Sequence, residues 1–156
     1  MEKRRYAVRL AYEGGAFRGF QRQPGMTTVQ GCLEAAFTHI GVQVRLEPAA
    51  RTDAGVHAID QVVTFTARAA LEPAALRAAI NTHTPPALLC LDAARVPPAF
   101  HARASARSRT YVYLVGWPAP AELAGYAWSL PDARAFPDLL VQRVDLARAA
   151  DALARI

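Results

Sequence analysis

Five stretches of the chain are predicted to be β-strands, and the first two alternate in side-chain character with a period of two, which is typical of strands that bury one face. They cover residues 6–12, 42–46, 61–67, 87–96 and 109–115. In the first stretch, Tyr6, Val8, Leu10 and Tyr12 share one face. We therefore expect five strands, the first of which contributes a continuous apolar stripe to the core.

Two further stretches place apolar residues at helical spacing. The first contains Val29, Cys32, Leu33, Ala36, Phe37 and Ile40, and the second contains Leu76, Ala79 and Ile80. Thr27 and Gln30 fit a capping box with Thr27 as the N-cap, and Gly41 suits the end of the same helix. Pro73 suits the first position of the second helix.

The order strand, helix, strand, strand, helix, strand predicts an α/β (α+β) fold. Its closest pattern is a ferredoxin-like or RNP-like antiparallel sheet with the helices on one face and one added strand. Beyond Gly116 the pattern weakens, and residues 117–137 are predicted to be irregular because they are rich in Pro and Ala. A last helix is predicted from Asp145, with an apolar face that no later strand would cover. We therefore expect the chain to stop short of a complete fold.

Composition and charge favour a packed protein with an anionic partner. Apolar residues make up 53% of the 156 residues, and the net charge is +5. Residues 1–115 carry 14 Lys and Arg against 8 Asp and Glu, whereas the remainder carries 4 against 5. A basic first part suggests a polyanion such as a nucleic acid. Seventeen of the 18 basic residues are Arg, which suits phosphate but is equally explained by a GC-rich genome.

The sequence shows no sign of a metal site, a signal peptide or a membrane-spanning segment. Cys32 and Cys90 lack the spacing of metal ligands and are expected in the core. The first residues lead directly into a strand pattern, and no apolar run is long enough to cross a membrane. A cytoplasmic protein is expected.

The run Arg-Thr-Asp-Ala-Gly-Val-His at residues 51–57 is the strongest candidate for chemistry. Gly55 permits a sharp turn that would display Asp53. An ionised carboxylate there could act as a nucleophile, a general base, a metal ligand, or a structural cap or Asx-turn. Residue type alone favours the structural role.

Two other segments combine Arg with aromatic or amide side chains. In the loop at residues 14–23, Phe20, Gln21 and Arg22 are candidates to stack on unpaired bases or read their edges, although the loop could simply be anchored by Phe17 and Phe20. In residues 100–113, Arg103 and Arg109 are candidates for phosphate contacts. The tyrosines of that segment could instead be core residues, and His57 and His101 could be general bases or structural groups.

The ordered set of motifs resembles the tRNA pseudouridine synthase A family. It comprises Tyr12-x-Gly14, Gly19-Phe20-Gln21-x-Gln23, Thr28-Val29-Gln30 with Leu33-Glu34, the run at 51–58, Gln61-Val62-Val63-x-Phe65, Phe100-His101-Ala102-Arg103 and Arg109-x-Tyr111-x-Tyr113. The resemblance spans residues 6–113, and the run at 51–57 is its most specific part.

The resemblance implies a pseudouridine synthase fold and assigns roles to particular residues. Asp53 matches the nucleophile that attacks the target uridine, at either the sugar or the ring. Arg51 matches the arginine that holds the aspartate, and Tyr111 matches the tyrosine that packs on the target base. The implied substrate is tRNA at its anticodon stem-loop, the implied assembly is a homodimer, and no metal or organic cofactor is needed because the reaction is an isomerisation.

The chain departs from the family pattern in three respects. Ala50 and Asp60 stand where the family usually has Gly. Family members also carry a second domain of similar fold, so we expect residues 1–115 to form the catalytic domain and residues 116–156 to lead into a missing C-terminal domain. The alternative functions are a truncated, inactive tRNA-binding fragment and, if the motifs are accidental, a small-molecule binder of ferredoxin-like fold.

Overall fold

The computed structural model describes residues 3–116 and 118–129. The chain divides into two compact units, Met1–Ser108 and Arg109–Ile156. The predicted helix from Asp145 lies outside the described residues. The domain limit expected at residue 115 stays a prediction.

The first unit is built on a four-stranded antiparallel sheet in the order β2-β3-β1-β4. The strands are β1 (Arg4–Tyr12), β2 (Glu47–Pro48), β3 (Ala58–Ala67) and β4 (Leu88–Val96). Helix α1 (Val29–His39) connects β1 to β2, and helix α2 (Pro73–His83) connects β3 to β4. This is the ferredoxin-like arrangement, and the predicted fold class is confirmed.

One core fills the space between the sheet and both helices. The alternating side chains of β1 that were expected to share a face are all buried there. Phe65 of β3 stacks on Tyr6 with ring centroids 5.6 Å apart. Phe65 and Phe37 of α1 meet in an edge-to-face arrangement with ring centroids 4.7 Å apart. Leu76 and Ile80 of α2 join the same cluster. Both helices therefore pack on one face of the sheet.

Helix α1 begins one residue later than its predicted capping box implies. Thr28 is the N-cap, and its hydroxyl accepts the N–H of Gly31 at 3.2 Å. Gln30 does not cap, because its amide accepts from the N–H of Arg22 and donates to Glu34. Thr27 as the N-cap was therefore wrong.

The predicted ends and starts elsewhere in the helices are confirmed. Gly41 has φ +71° just after α1, and the N–H of Val42 donates to the carbonyl of Phe37 at 2.9 Å, which closes the helix end. Pro73 occupies the first turn of α2, where Glu72 caps the N–H of Ala75 at 2.9 Å.

The second predicted strand is much shorter than its alternating pattern. Val42 and Leu46 are buried as the pattern requires, but residues 42–46 form no strand, and pairing is limited to Glu47–Pro48. The alternation here reports buried side chains without a paired backbone. Proline also lacks the N–H needed to extend a ladder.

The described part of the second unit contains a small parallel pair of strands. They are β5 (Leu114–Gly116) and β6 (Ala127–Ser129), with a 3-10 turn at Ala121–Leu123 between them. The strand predicted over residues 109–115 is thus reduced to its last part. Among the described residues, no helix has the length and apolar character needed to cross a membrane.

Candidate active site

The run at residues 51–57 forms a sharply turned loop between β2 and β3. Gly55 has φ +81°, in the left-handed region that favours glycine. Val56 donates its N–H to the carbonyl oxygen of Asp53 at 3.2 Å. The main chain thus closes the turn without the Asp53 carboxylate, and the Asp53 side chain is exposed at the surface.

A structural role for the Asp53 carboxylate finds no support in this geometry. A cap or an Asx-turn requires a carboxylate oxygen to accept a nearby N–H. Within residues 3–116 and 118–129, this carboxylate accepts no hydrogen bond and joins no ion pair. It is therefore available to a reacting group.

Arg51 lies two residues before Asp53 and is also exposed. Across the part of the chain that the structure describes, its guanidinium forms no ion pair with Asp53 or with another carboxylate. The partnership implied by the family resemblance is thus not formed in this structure, and the role of Arg51 stays a prediction.

The start of the loop is tied to the sheet by buried polar side chains. The side-chain amide of Gln61 donates to the carbonyl of Ala50 at 2.8 Å and accepts the N–H of Ala50 at 3.4 Å. The hydroxyl of Tyr12 bonds the Thr52 hydroxyl at 2.8 Å. The N–H of Phe20 donates to the Thr52 carbonyl at 2.9 Å. The backbone on both sides of Arg51 is therefore held.

The end of the loop lies directly against Gly14. The N–H of Gly14 donates to Nδ1 of His57 at 3.2 Å, so this nitrogen is the unprotonated one. A Cβ added at Gly14 would lie 2.3 Å from the carbonyl carbon and oxygen of Val56. Only glycine permits this approach of the two backbones. His57 thus has a structural contact here, one of the two roles that the sequence left open.

Phe20 differs from its predicted role. Its side chain is fully buried, with its ring 6.5 Å from that of Tyr12, and the Phe17 ring meets Tyr12 edge-on at 6.2 Å. Because neither face of the Phe20 ring is open to solvent, stacking on a base is excluded in this structure. The other interpretation, a loop anchored by two phenylalanines, describes the geometry.

Gln21 and Arg22 lie on the outer side of the same loop and are exposed. The Arg22 guanidinium is 3.1 Å from a carboxylate oxygen of Glu34, with 71% of its side chain exposed. An ion pair this open to solvent is weak and can be exchanged for a phosphate. Both residues remain candidates for contact with RNA.

The segment around Arg103 is fixed to the sheet by the partly buried Arg5. The Arg5 guanidinium donates to the Phe100 carbonyl at 3.0 Å and also pairs with Glu47. The hydroxyl of Thr64 accepts the N–H of Ala102 at 3.2 Å. These contacts hold the backbone of the segment while Arg103 itself stays exposed.

His101 has a local partner on each side of its ring. Its Nδ1 accepts the N–H of Arg103 at 3.2 Å, and its Nε2 lies 3.6 Å from Glu47. Contacts of this kind orient the imidazole within the loop and suit a structural residue.

Arg109 and Tyr111 belong to the second unit, which is described by itself. Both side chains are exposed, and 60% of the Tyr111 surface is accessible. An exposed tyrosine ring can offer a face to a base, so the predicted role of Tyr111 stays open as a proposal.

Asp60, one of the departures from the family pattern, forms an ion pair with Arg9. The Arg9 Nε lies 2.8 Å from an Asp60 oxygen, and this hydrogen bond raises the pKa of Arg9 above its ordinary value. The negative charge at this position is therefore compensated. At the other departure the backbone has a negative φ, so Ala50 is accommodated there without backbone strain.

The cysteines do not form part of a chemical site in the described residues. Burial raises the pKa of the Cys90 thiol to about 11, which keeps it protonated and unreactive at neutral pH. Burial also raises the pKa of Cys32. No cluster of three His, Cys, Asp or Glu suited to a metal ion occurs in residues 3–116 and 118–129.

Comparison with known proteins defines the class of this chain. The family model for tRNA pseudouridine synthase matches residues 9–103, more than half of the sequence. The chain therefore belongs to the tRNA pseudouridine synthase family. This match includes the Asp53 loop and every residue that ties it to the sheet.

The curated relatives share the name tRNA pseudouridine synthase A. The relative from Methylacidiphilum infernorum is 44% identical over 132 residues, which are 82% of this chain and 51% of that protein. The relative from Shouchella clausii is 42% identical over 113 residues, which are 71% of this chain and 43% of that protein. The chain thus spans about half the length of the curated relatives it matches.

Proposed function

We propose that this chain carries the catalytic aspartate of a tRNA pseudouridine synthase, an isomerase that converts uridine to pseudouridine in the anticodon stem-loop. The observation that carries the proposal is the exposed Asp53 carboxylate, which has no partner among residues 3–116 and 118–129 and lies on a turn whose flanks are fixed to the sheet. A carboxylate that lacks a structural task in a fixed position suits nucleophilic attack.

The proposed reaction moves the uracil bond from ring nitrogen to ring carbon. Asp53 attacks the target uridine at the sugar or at the ring and forms a covalent bond to it. The glycosidic bond to nitrogen breaks, the base rotates, and the bond to Asp53 breaks again before the product leaves. A bond from carbon to the same sugar then forms, the carbon loses its proton, and the nitrogen gains one. Atoms and electrons balance without an oxidant, a metal or a co-reactant.

The substrate base must leave its stack to reach Asp53. We assign Tyr111 to pack on the extruded base and Arg51 to hold the aspartate and keep the base extruded. The exposed side chains of Gln21, Arg22, Arg103 and Arg109 would contact the RNA. Phe20 is omitted from this set because it is buried.

A homodimer in the cytoplasm is part of the same proposal and rests on the family alone. The second candidate function is an inactive fragment that binds tRNA. It is favoured by the charge of residues 1–115, which carry 14 Lys and Arg against 8 Asp and Glu and suit binding to a polyanion.

The experiment that separates the two candidates uses the purified 156-residue chain and unmodified tRNA. Pseudouridine is scored chemically after incubation, and binding of the same tRNA is measured in parallel at several salt concentrations. Pseudouridine in the anticodon stem-loop supports the isomerase. Binding that weakens with salt but gives no pseudouridine identifies the fragment.

A further inference from the structure

Three polar side chains form a connected group beneath the Asp53 loop, on the apolar side of the sheet. Tyr12 at the end of β1 and Gln61 in β3 are 5% and 7% exposed. The Tyr12 hydroxyl lies 2.8 Å from the Thr52 hydroxyl and 3.5 Å from the Gln61 amide nitrogen. Burying a polar group costs free energy unless it is hydrogen-bonded. These hydrogen bonds therefore stabilise Tyr12 and Gln61 in their buried positions.

The contacts are directed at the two neighbours of Arg51. Gln61 bonds both backbone groups of Ala50, and Tyr12 bonds the side chain of Thr52. Thr52 is turned towards the sheet and half-buried, whereas Arg51 and Asp53 are exposed on either side of it. The hydrogen bonds to Ala50 and Thr52 hold the backbone before Asp53 in a conformation that leaves the Asp53 side chain on the solvent side of the loop.

We propose that Tyr12 and Gln61 are positioning residues that hold the Asp53 loop in the conformation from which Asp53 reacts. This inference deepens the proposed function and rests on it for its catalytic part. A nucleophile held within a fraction of an ångström of its reactive position avoids the cost of being ordered at each turnover. Burial also raises the pKa of Tyr12 above its ordinary value, so its hydroxyl stays protonated at neutral pH and remains available for the hydrogen bond with the Thr52 hydroxyl.

The test replaces Tyr12 by Phe and uses Tyr6→Phe as a matched control. Both tyrosines lie on the buried face of β1 and use their hydroxyls in a hydrogen bond to a loop. The hydroxyl of Tyr6 accepts the N–H of Leu71 at 2.9 Å, at the other end of the strand. Each variant therefore loses one buried hydroxyl and keeps its ring.

Amide hydrogen exchange measured by NMR reports the loop directly. In Tyr12→Phe we expect the amides of Phe20 and Val56, which donate into the Asp53 loop, to exchange about two- to tenfold faster. In Tyr6→Phe the amide of Leu71 should show this change instead. Gln61→Met, which removes both bonds to Ala50, provides a second variant with the same expected pattern as Tyr12→Phe.

Steady-state kinetics with tRNA reports the catalytic consequence. For Tyr12→Phe we expect kcat to fall about tenfold with KM within about twofold, because a displaced nucleophile affects the reaction and not tRNA binding. Tyr6→Phe should keep the parent kcat. Thermal denaturation of both variants checks that they are folded to a similar extent.

The outcomes separate this inference from the proposed function. If the parent chain forms pseudouridine and Tyr12→Phe matches Tyr6→Phe in kcat, the inference is overturned and the function stands. If the parent chain forms none, the proposed function fails, and exchange alone decides the inference. Unchanged exchange at Phe20 and Val56 in Tyr12→Phe and Gln61→Met then overturns it.

Discussion

Gly14 lies where the first loop of the chain packs closely against the loop that carries Asp53. Its N–H bonds His57, and a side chain on it would meet the backbone of Val56. The neighbouring Gly15 has open space around it, with no atom within 4 Å of an added Cβ. Two adjacent glycines therefore have different reasons to be there, and only the structure separates them.

Gly14→Ala is expected to lower the free energy of unfolding by about 1–3 kcal/mol, because backbone atoms must move to admit the methyl group. Turnover should fall as well, since the displaced atoms belong to the Asp53 loop. Chemical denaturation and pseudouridine formation measure the two effects. Gly15→Ala is the control and should change stability by no more than about 0.5 kcal/mol. Equal behaviour of the two variants would show that the close approach does not matter.

Tyr111 is the residue whose role depends most on the nature of its side chain. If it stacks on the extruded base, Tyr111→Phe retains the ring and should retain much of the turnover. Tyr111→Leu removes the aromatic face and should lose about 1–3 kcal/mol of stacking, which is about fivefold to a hundredfold or more in turnover. Single-turnover rates with tRNA measure the difference. A similar loss in both variants would assign the role to the hydroxyl.

At the scale of elements, helix α1 shows how closely sequence patterns define structure. Its apolar spacing correctly predicted the helix and its end at Gly41, because both depend on local geometry. The predicted N-cap was one residue too early. Thr27 and Thr28 are chemically equivalent, and the spacing of Thr27 and Gln30 matched a capping box. The structure commits Gln30 to Arg22 and Glu34, which are contacts outside the helix start.

Thr28→Ala is expected to lower the free energy of unfolding by about 1 kcal/mol, because the N–H of Gly31 loses its acceptor. Thr27→Ala is the matched control and should change stability by less than about 0.5 kcal/mol, since Thr27 is exposed. Chemical denaturation of both variants measures the difference. A larger loss for Thr27→Ala would restore the cap predicted from the sequence.

The strands show the limit of alternation as a predictor. The central strands β1 and β3 were found close to their predicted positions, because each buries its inner face against the helices and so favours apolar residues at every second position. The stretch at residues 42–46 alternates equally well but pairs only after it ends, at Glu47–Pro48. Periodicity reports which side chains are buried, whereas pairing depends on a partner that the local sequence does not contain.

At the scale of the whole molecule, the candidate site depends on contacts between distant parts of the chain. Tyr12 meets residues 40 and 49 positions away at Thr52 and Gln61. The motifs identified Asp53 as a candidate nucleophile, but they did not indicate that Tyr12 and Gln61 support its loop. The one available signal was a polar Gln on the face of a strand that otherwise enters the core. Phe20 was predicted to stack on a base because it lies in a polar loop. Its side chain instead points into the core, which the local sequence does not indicate.

The measurement that tests the account most directly compares Asp53→Asn with Asp60→Asn in the assay with tRNA. Both changes replace a carboxylate by an amide of the same shape, within one short stretch of the chain. Asp60 pairs with Arg9 at the surface, where an ion pair contributes about 1 kcal/mol or less. We expect Asp53→Asn to bind tRNA like the parent and form no pseudouridine, while Asp60→Asn keeps its turnover. Normal turnover by Asp53→Asn would contradict the assignment of Asp53 as the nucleophile.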